Sequence, residues 1–173
     1  MEIVPYNEKW PAAFEAEAGR LRAALGLLAL RIDHNGSTAV PGLASKPVID
    51  IQVSVSSLQP LTPYRDRLES IAYVHVPHAD DAFCPFFHRP AGWPHTHHVH
   101  LVRAGSDEER RTLAFRDYLR DQAGARREYE ALKRRLAGEF TGDSAESREG
   151  YAIAKSDFVE RIVAAAFADG YPR

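Results

Sequence analysis

The chain has 173 residues and a formal net charge of −2, with 45% hydrophobic and 27% charged residues, proportions that suit one soluble globular domain with room for a core. Its near-neutral balance supplies no broad basic field, so there is no strong nucleic-acid signal, and apolar runs such as ALGLLAL are far too short to span a bilayer. One cysteine, Cys84, excludes an internal disulfide and fits a reducing compartment, and the N-terminus lacks the order of a signal peptide; the expected setting is cytoplasmic.

In chain order, the first predicted element is a helix entered at NEKWP, with Asn7 as a cap and Pro11 in the first turn. Trp10, Phe14, Leu21 and Leu25 recur at helical spacing, and Gly26 ends it. LLALRIDH reads as a strand running into the turn-rich NGSTAVPG. PVIDIQVSV alternates with a period of two, setting Ile49, Ile51, Val53 and Val55 on one face and Val48, Asp50, Gln52 and Ser54 on the other. A short helix is expected over TPYRDRLESIA, a strand over YVHVP, then a looser aromatic stretch, DAFCPFFHRPAGWPHT. HHVHLVR alternates again, with His98, His100 and Val102 on one face.

After Gly105 the pattern turns helical. Ser106 with Glu109 resembles a capping box. The helix is expected to run to about Gln122, break at Gly124 and resume through RREYEALKRRLAGEF, of which RREYEALKRR reads as a solvated face. A last helix fills about 145–168. The layout is one α+β domain over 1–173: a mixed β-sheet with flanking helices in a strand-rich part at about 27–104, and a helical C-terminal half at about 106–170.

The chemistry concentrates in HNGSTAVPGLASKPVIDIQV. Gly36 lets backbone approach an anion closely, Ser37 adds a hydroxyl donor, and Lys46 brings positive charge. Asp50 lies between two isoleucines on a strand, where a carboxylate is costly without a partner. Seven of the eight histidines fall between His75 and His100, and the eighth, His34, opens this stretch. His98 and His100, two apart on a strand, point the same way, as a metal requires. Arg116 and Arg120 share a helix face; they form either an ion-pair lattice with Asp117 and Asp121 or a guanidinium pair for phosphate. Lys155, four residues after Tyr151, is either a phosphate contact or a solvated lysine.

Gly36-Ser37, twelve residues, then Asp50-Ile51-Gln52-Val53 resembles the signature of the nucleotidyltransferase superfamily. More closely, HNGSTAVPGLASKPVIDI, with VPYNEKWPAAFEAE, HHVHLV, FRDYLRD, YEALKRRLA and YAIAKSDFV in order, resembles the GrpB family, also called UPF0157. The resemblance implies a nucleotidyltransferase-like fold that binds a small-molecule nucleotide or other phosphate-bearing substrate. The candidate phosphate contacts are Gly36, Ser37 and Lys46, with Gln52, which either binds substrate or hydrogen-bonds a neighbour, and with Arg116, Arg120 and Lys155 in the phosphate reading of those residues. With His98 and His100 on the strand where the pattern would have a further acid, either Asp50, His98 and His100 hold a divalent metal (Mg, Mn or Zn) in a site of changed character, with Asp50 as the catalytic carboxylate, or the fold has lost metal-dependent transfer. Two departures stand out: Gln52 occupies the position of the second acid, and HHVHLVR offers no third. Two functional classes follow, a metal-dependent nucleotidyltransferase and a degenerate binding module of the same fold. A histidine-triad hydrolase is disfavoured, because Thr96 and Val102 interrupt both frames of HTHHVHLV.

Overall fold

The computed structural model describes residues 2–142 and 144–173. Helix α1 (Trp10–Leu25) carries Pro11 in its first turn, where a missing N–H costs nothing. Its N-cap is Lys9; Asn7 sits further out and accepts the Lys9 amide on its side chain. Gly26 adopts a positive φ that ends the helix and starts a 3-10 turn. The following strand therefore starts later than the apolar pattern suggests: β1 covers Arg31–Asn35, and Leu27 is 98% exposed.

Strand β2 (Ile49–Val55) is central. It pairs antiparallel with β1 and parallel with β5 (His97–Arg103), and β4 (Phe86–Arg89) and β3 (Val74–Val76) complete a sheet of order β1-β2-β5-β4-β3. β4 emerges from the stretch expected to be irregular: Phe86–Arg89 pairs with both β3 and β5, so tertiary pairing decides its state. The period of two sorts the sheet as expected. Ile49, Ile51, Val53, Val55, Val99 and Leu101 pack with Trp10, Phe14, Leu21 and Leu25 of α1 and with Tyr64 and Leu68 of α2 (Thr62–Glu69). Asp50, Gln52, His98 and His100 occupy the opposite face.

That opposite face looks toward the C-terminal helices. α3 (Asp107–Asp121) is capped by Ser106, whose Oγ accepts the Glu109 amide, while the Glu109 carboxylate accepts the Gly105 amide at 2.6 Å. The break before α4 (Ala123–Glu139) lies at Gln122, which is extended, and Gly124 is inside the helix. The last helical stretch is two helices, α5 (Ala145–Ile153) and α6 (Ser156–Ala168). Dividing them at Ala154–Lys155 frees Tyr151 of α5 to line a cleft, while Phe158 and Ile162 of α6 bury against Leu119 and Tyr129.

Candidate functional site

The Gly-Ser turn and the carboxylate meet because β1 and β2 are hairpin partners. Asn35 opposes Asp50 in the ladder, so the next residue, Gly36, folds over the carboxylate. Its φ is +65°, and a Cβ there would stand 2.3 Å from Asp50 Oδ2. Only glycine tolerates both that backbone and that approach. His34 holds the turn from behind, stacked on Phe14 with centroids 4.7 Å apart and bonded to Thr38 Oγ1 at 3.0 Å. Burial pushes His34 down to about 4, so it is neutral at pH 7.

The parallel ladder sets Asp50 opposite His98 and Gln52 opposite His100. His98 Nδ1 lies 3.2 Å from Asp50 Oδ1 and His100 Nε2 lies 4.0 Å from the same oxygen. One donor atom from each of the three residues falls within 4.8 Å of the others, a spacing at which an ion can be held. Burial pushes the Asp50 carboxyl up, but the His98 hydrogen bond and the charges of His98, His100 and Lys155 outweigh it and hold the group below its ordinary value. Burial pushes His100 down to about 4, which leaves its ring nitrogen unprotonated near neutrality, the state a metal needs. His95 extends the array, its Nδ1 3.2 Å from His98 Nε2. Cys84 Sγ approaches His100 Nδ1 at 3.8 Å, and burial pushes this thiol up to about 12; its sulfur is not among the donor atoms that converge with Asp50, His98 and His100 among the described residues.

Around this cluster opens a cleft of about 640 Å³ between the polar face of the sheet and helices α4 and α5. Ser37 and Lys46 line it from the segment before β2, Lys133 and Arg148 line it from α4 and α5, and Lys155 lines it from the break between α5 and α6. Lys46 Nζ stands 3.7 Å above the Tyr151 ring and Lys155 Nζ 4.5 Å from it, so the two lysines share one aromatic platform. Burial first, then the charges of Lys155 and Arg148, push Lys46 down to about 8. Lys133 was expected on a solvated face but is 2% exposed: it donates to the Ala44 carbonyl and is pushed down to about 7 by burial and by Lys155. A run of alternating charges gives no sign of which lysine turns inward, and no signal in the sequence singles out Lys133.

The family model described as GrpB protein matches residues 1–165. The chain belongs to the GrpB family. It is 37% identical over 162 residues to a UPF0157 protein of Halalkalibacterium halodurans, covering 93% of this chain and 80% of that one. It is 35% identical over 139 residues to the UPF0157 protein YqkA of Bacillus subtilis, covering 80% of this chain but only 40% of the length of that relative. The crystal structure of GrpB from Enterococcus faecalis superposes with a TM-score of 0.85 at 31% identity, covering 97% of this chain and 98% of that one. Cid1 poly(U) polymerase with bound MgGTP matches with a TM-score of 0.53 at 17% identity over 78% of this chain and 44% of its own, a likeness of fold. The fold is therefore α+β and nucleotidyltransferase-like.

Within this GrpB-family chain, four of the expected phosphate contacts are absent from the lining of this cleft: Gly36, which lines a smaller adjoining pocket, Gln52, Arg116 and Arg120. Arg116 donates to the His34 carbonyl at 3.1 Å and pairs with Asp117 at 2.7 Å; Arg120 donates to the Ala39 carbonyl at 2.9 Å. Both arginines thus brace the Gly-Ser turn from behind and line a different depression with His34 and Tyr6. Their shared face was correctly expected, but it points away from Asp50's cleft. Gln52, in the second-acid position, accepts from Thr112 Oγ1 at 2.5 Å and Asn35 Nδ2 at 3.3 Å, and it too is absent from the cationic cleft. No helix among the described residues is long and apolar enough to cross a membrane.

Proposed function

We propose that the cleft binds a nucleoside triphosphate or a closely related phosphate compound together with a divalent metal, and that the protein transfers the nucleotidyl group to an acceptor. The observation that carries this reading is convergence: Ser37, Lys46, Lys133, Arg148 and Lys155 line the same cleft as Asp50, His98 and His100. Several cations and a hydroxyl on one concave wall suit a polyanion.

The donor set fits a metal. Two imidazoles and one carboxylate suit Mn or Zn better than Mg, and Gly36 leaves the space beside Asp50 that a Cβ would fill. Asp50, His98 and His100 would hold the ion, which when bound supplies Lewis-acid stabilisation of charge on the phosphoryl group. In this reading Ser37 and the backbone at Gly36 orient phosphate oxygens. Lys46 and Lys155, steadied on Tyr151, neutralise the charge that accumulates on the leaving pyrophosphate.

One observation favours a second reading, a binding module without turnover: Gln52 stands where the superfamily pattern has its second acid, and it is held by Thr112 and Asn35. One experiment separates the two. Metal-stripped protein is titrated with Mg²⁺, Mn²⁺ and Zn²⁺ and offered nucleoside triphosphates, with pyrophosphate release followed. Release that disappears in Asp50→Ala supports the enzyme. Tight nucleotide binding without release supports the module, and absence of both metal and nucleotide binding sinks the two together.

A further inference from the structure

A second, smaller pocket of about 200 Å³ adjoins the cationic cleft, and Gly36 and Gln52 are on its wall. Asp50 and His100 line both chambers, so the carboxylate–histidine cluster stands where the two meet. The chambers differ in charge. Among the described residues the larger is lined by four cations against one carboxylate besides Asp50, Glu149; the smaller carries Glu108 and Arg111, which pair with each other at 3.7 Å, and Arg111 also pairs with Glu160. Phe115, Val159 and Val163 give the smaller one an apolar wall. Its volume is roughly that of seven liquid waters, which fits a small molecule.

Gln52 sharpens the chemistry. Its Oε1 is engaged by Thr112 and Asn35, which orients the amide, and its Nε2 has no hydrogen-bond partner among the described residues although the side chain is 1% exposed. A buried amide donor without a partner is costly, and an acceptor oxygen on a ligand would relieve it. A ligand carboxylate or phosphate would meet the Glu108 carboxylate on the same wall, whereas a hydroxyl would not be repelled.

The geometry points to this pocket as the acceptor chamber, taking a small hydroxyl-bearing compound without negative charge; the inference rests on the nucleotidyl-transfer reading of the larger cleft. Two substrates then approach the Asp50–His100 junction from separate chambers. The acceptor's hydroxyl oxygen bonds to the α-phosphorus and its proton passes to Glu108. The bond from the α-phosphorus to the oxygen bridging to the β-phosphate breaks, and its electron pair leaves with pyrophosphate. Among the described residues Glu108 is the carboxylate on this wall apart from Asp50, and burial raises its carboxyl above the ordinary value, toward the affinity a proton acceptor needs.

The test offers the full chain a nucleoside triphosphate and Mn²⁺ with glycerol or myo-inositol as probe acceptors, and mass spectrometry separates nucleotidyl-polyol adducts from free nucleoside monophosphate. The wild type is expected to form the adduct. Cys84→Phe, which fills the pocket from a partly exposed position, is expected to lower adduct formation by about 100-fold. Its affinity for a non-hydrolysable triphosphate, read by calorimetry, should stay that of the wild type. Glu108→Gln should lower adduct formation by about 100-fold or more with the same unchanged affinity. If Cys84→Phe fails to fold by circular dichroism, Glu108→Gln alone decides. Monophosphate as sole product from protein that binds nucleotide, or adduct formation indifferent to both variants, overturns the acceptor chamber and leaves the nucleotide site standing. Failure to bind any triphosphate removes both.

Discussion

Asp50 and His98 are direct partners across the parallel β2–β5 ladder, with His98 Nδ1 3.2 Å from Asp50 Oδ1. A parallel pair needs a long crossover, so residues 48 apart in sequence meet only because this sheet is built in this register. The pair is the rigid half of the proposed metal site, and Asp50→Asn tests it with little change of volume. Calorimetric affinity for Mn²⁺ should fall by more than about 100-fold, beyond what losing an outer-shell partner costs, while the circular dichroism spectrum stays that of the wild type. Undiminished Mn²⁺ binding would reduce the pair to a structural hydrogen bond.

Gly36 is bound to the same carboxylate sterically. Gly36→Ala forces a Cβ to 2.3 Å from Asp50 Oδ2 and asks alanine to hold φ at +65°. The backbone strain alone is about 1–3 kcal/mol, and the displaced carboxylate leaves the cluster. Urea unfolding should show a lowered midpoint at unchanged slope, and Mn²⁺ affinity should fall with it. Wild-type stability together with wild-type metal affinity would show that the turn tolerates a side chain.

How much of this was legible beforehand depended on whether local pattern or distant contact decides. The alternation around Asp50 exposed its face directly, because a strand's period is a local property. The same reasoning placed His98 and His100 on one face, and the family resemblance joined them to Asp50. Arg116 and Arg120 were rightly seen as neighbours on a helix. The direction of that face depended on how α3 packs over the His34–Ala39 turn, which spacing does not encode. Lys133 was hidden for the same reason: charge pattern along α4 says nothing about which turn faces Ala44. Strand β4 was missed because prolines at 85 and 90 bracket four residues that become a strand only between β3 and β5.

On the core side of the sheet, Glu17 is buried and receives the Tyr73 hydroxyl at 2.9 Å, Arg20 at 2.9 Å and Arg89 at 2.8 Å. Burial pushes its carboxyl up, but the Tyr73 and Arg20 hydrogen bonds and the Arg89 charge outweigh it and hold the group below 4.5. A depressed carboxyl contributes stability that is present above its unfolded value and is lost as pH falls through the folded one. Glu17→Ala should cost about 1–3 kcal/mol near neutral pH, because it removes the acceptor of the Tyr73 hydroxyl and of Arg89 and Arg20, whose side chains keep some access to water. Urea midpoints measured from about pH 6 down to about pH 3 should then fall less steeply in the variant than in the wild type. Parallel curves would mean the network adds nothing to acid sensitivity.

Lys133 gives the cleft a pH response whose sign follows from its burial. Its amine is pushed down to about 7 from 10.5, chiefly by burial and then by Lys155, with Glu130 and Asp50 pulling the other way. Between those two values the unfolded chain binds a proton that the folded chain lacks, so this group makes stability rise with pH across the window. Below about 7 the folded protein carries a buried cation and stability rests on its lower plateau. Anion binding has the opposite sign: protonation below about 7 adds a positive charge to the cleft wall, so inorganic tripolyphosphate should bind more tightly as pH falls. Lys46, pushed down to about 8, responds in the same direction at higher pH. Lys133→Met should therefore remove the tightening that sets in below about 7 and keep the part that sets in below about 8. It should also raise the urea midpoint at acidic pH relative to the wild type, since methionine fills the same space without charge. Calorimetric titrations with tripolyphosphate between about pH 6 and pH 9 check the first expectation. A pH profile identical in wild type and variant would mean that Lys133 keeps one charge state throughout and serves only to tie α4 to the Ala44 carbonyl.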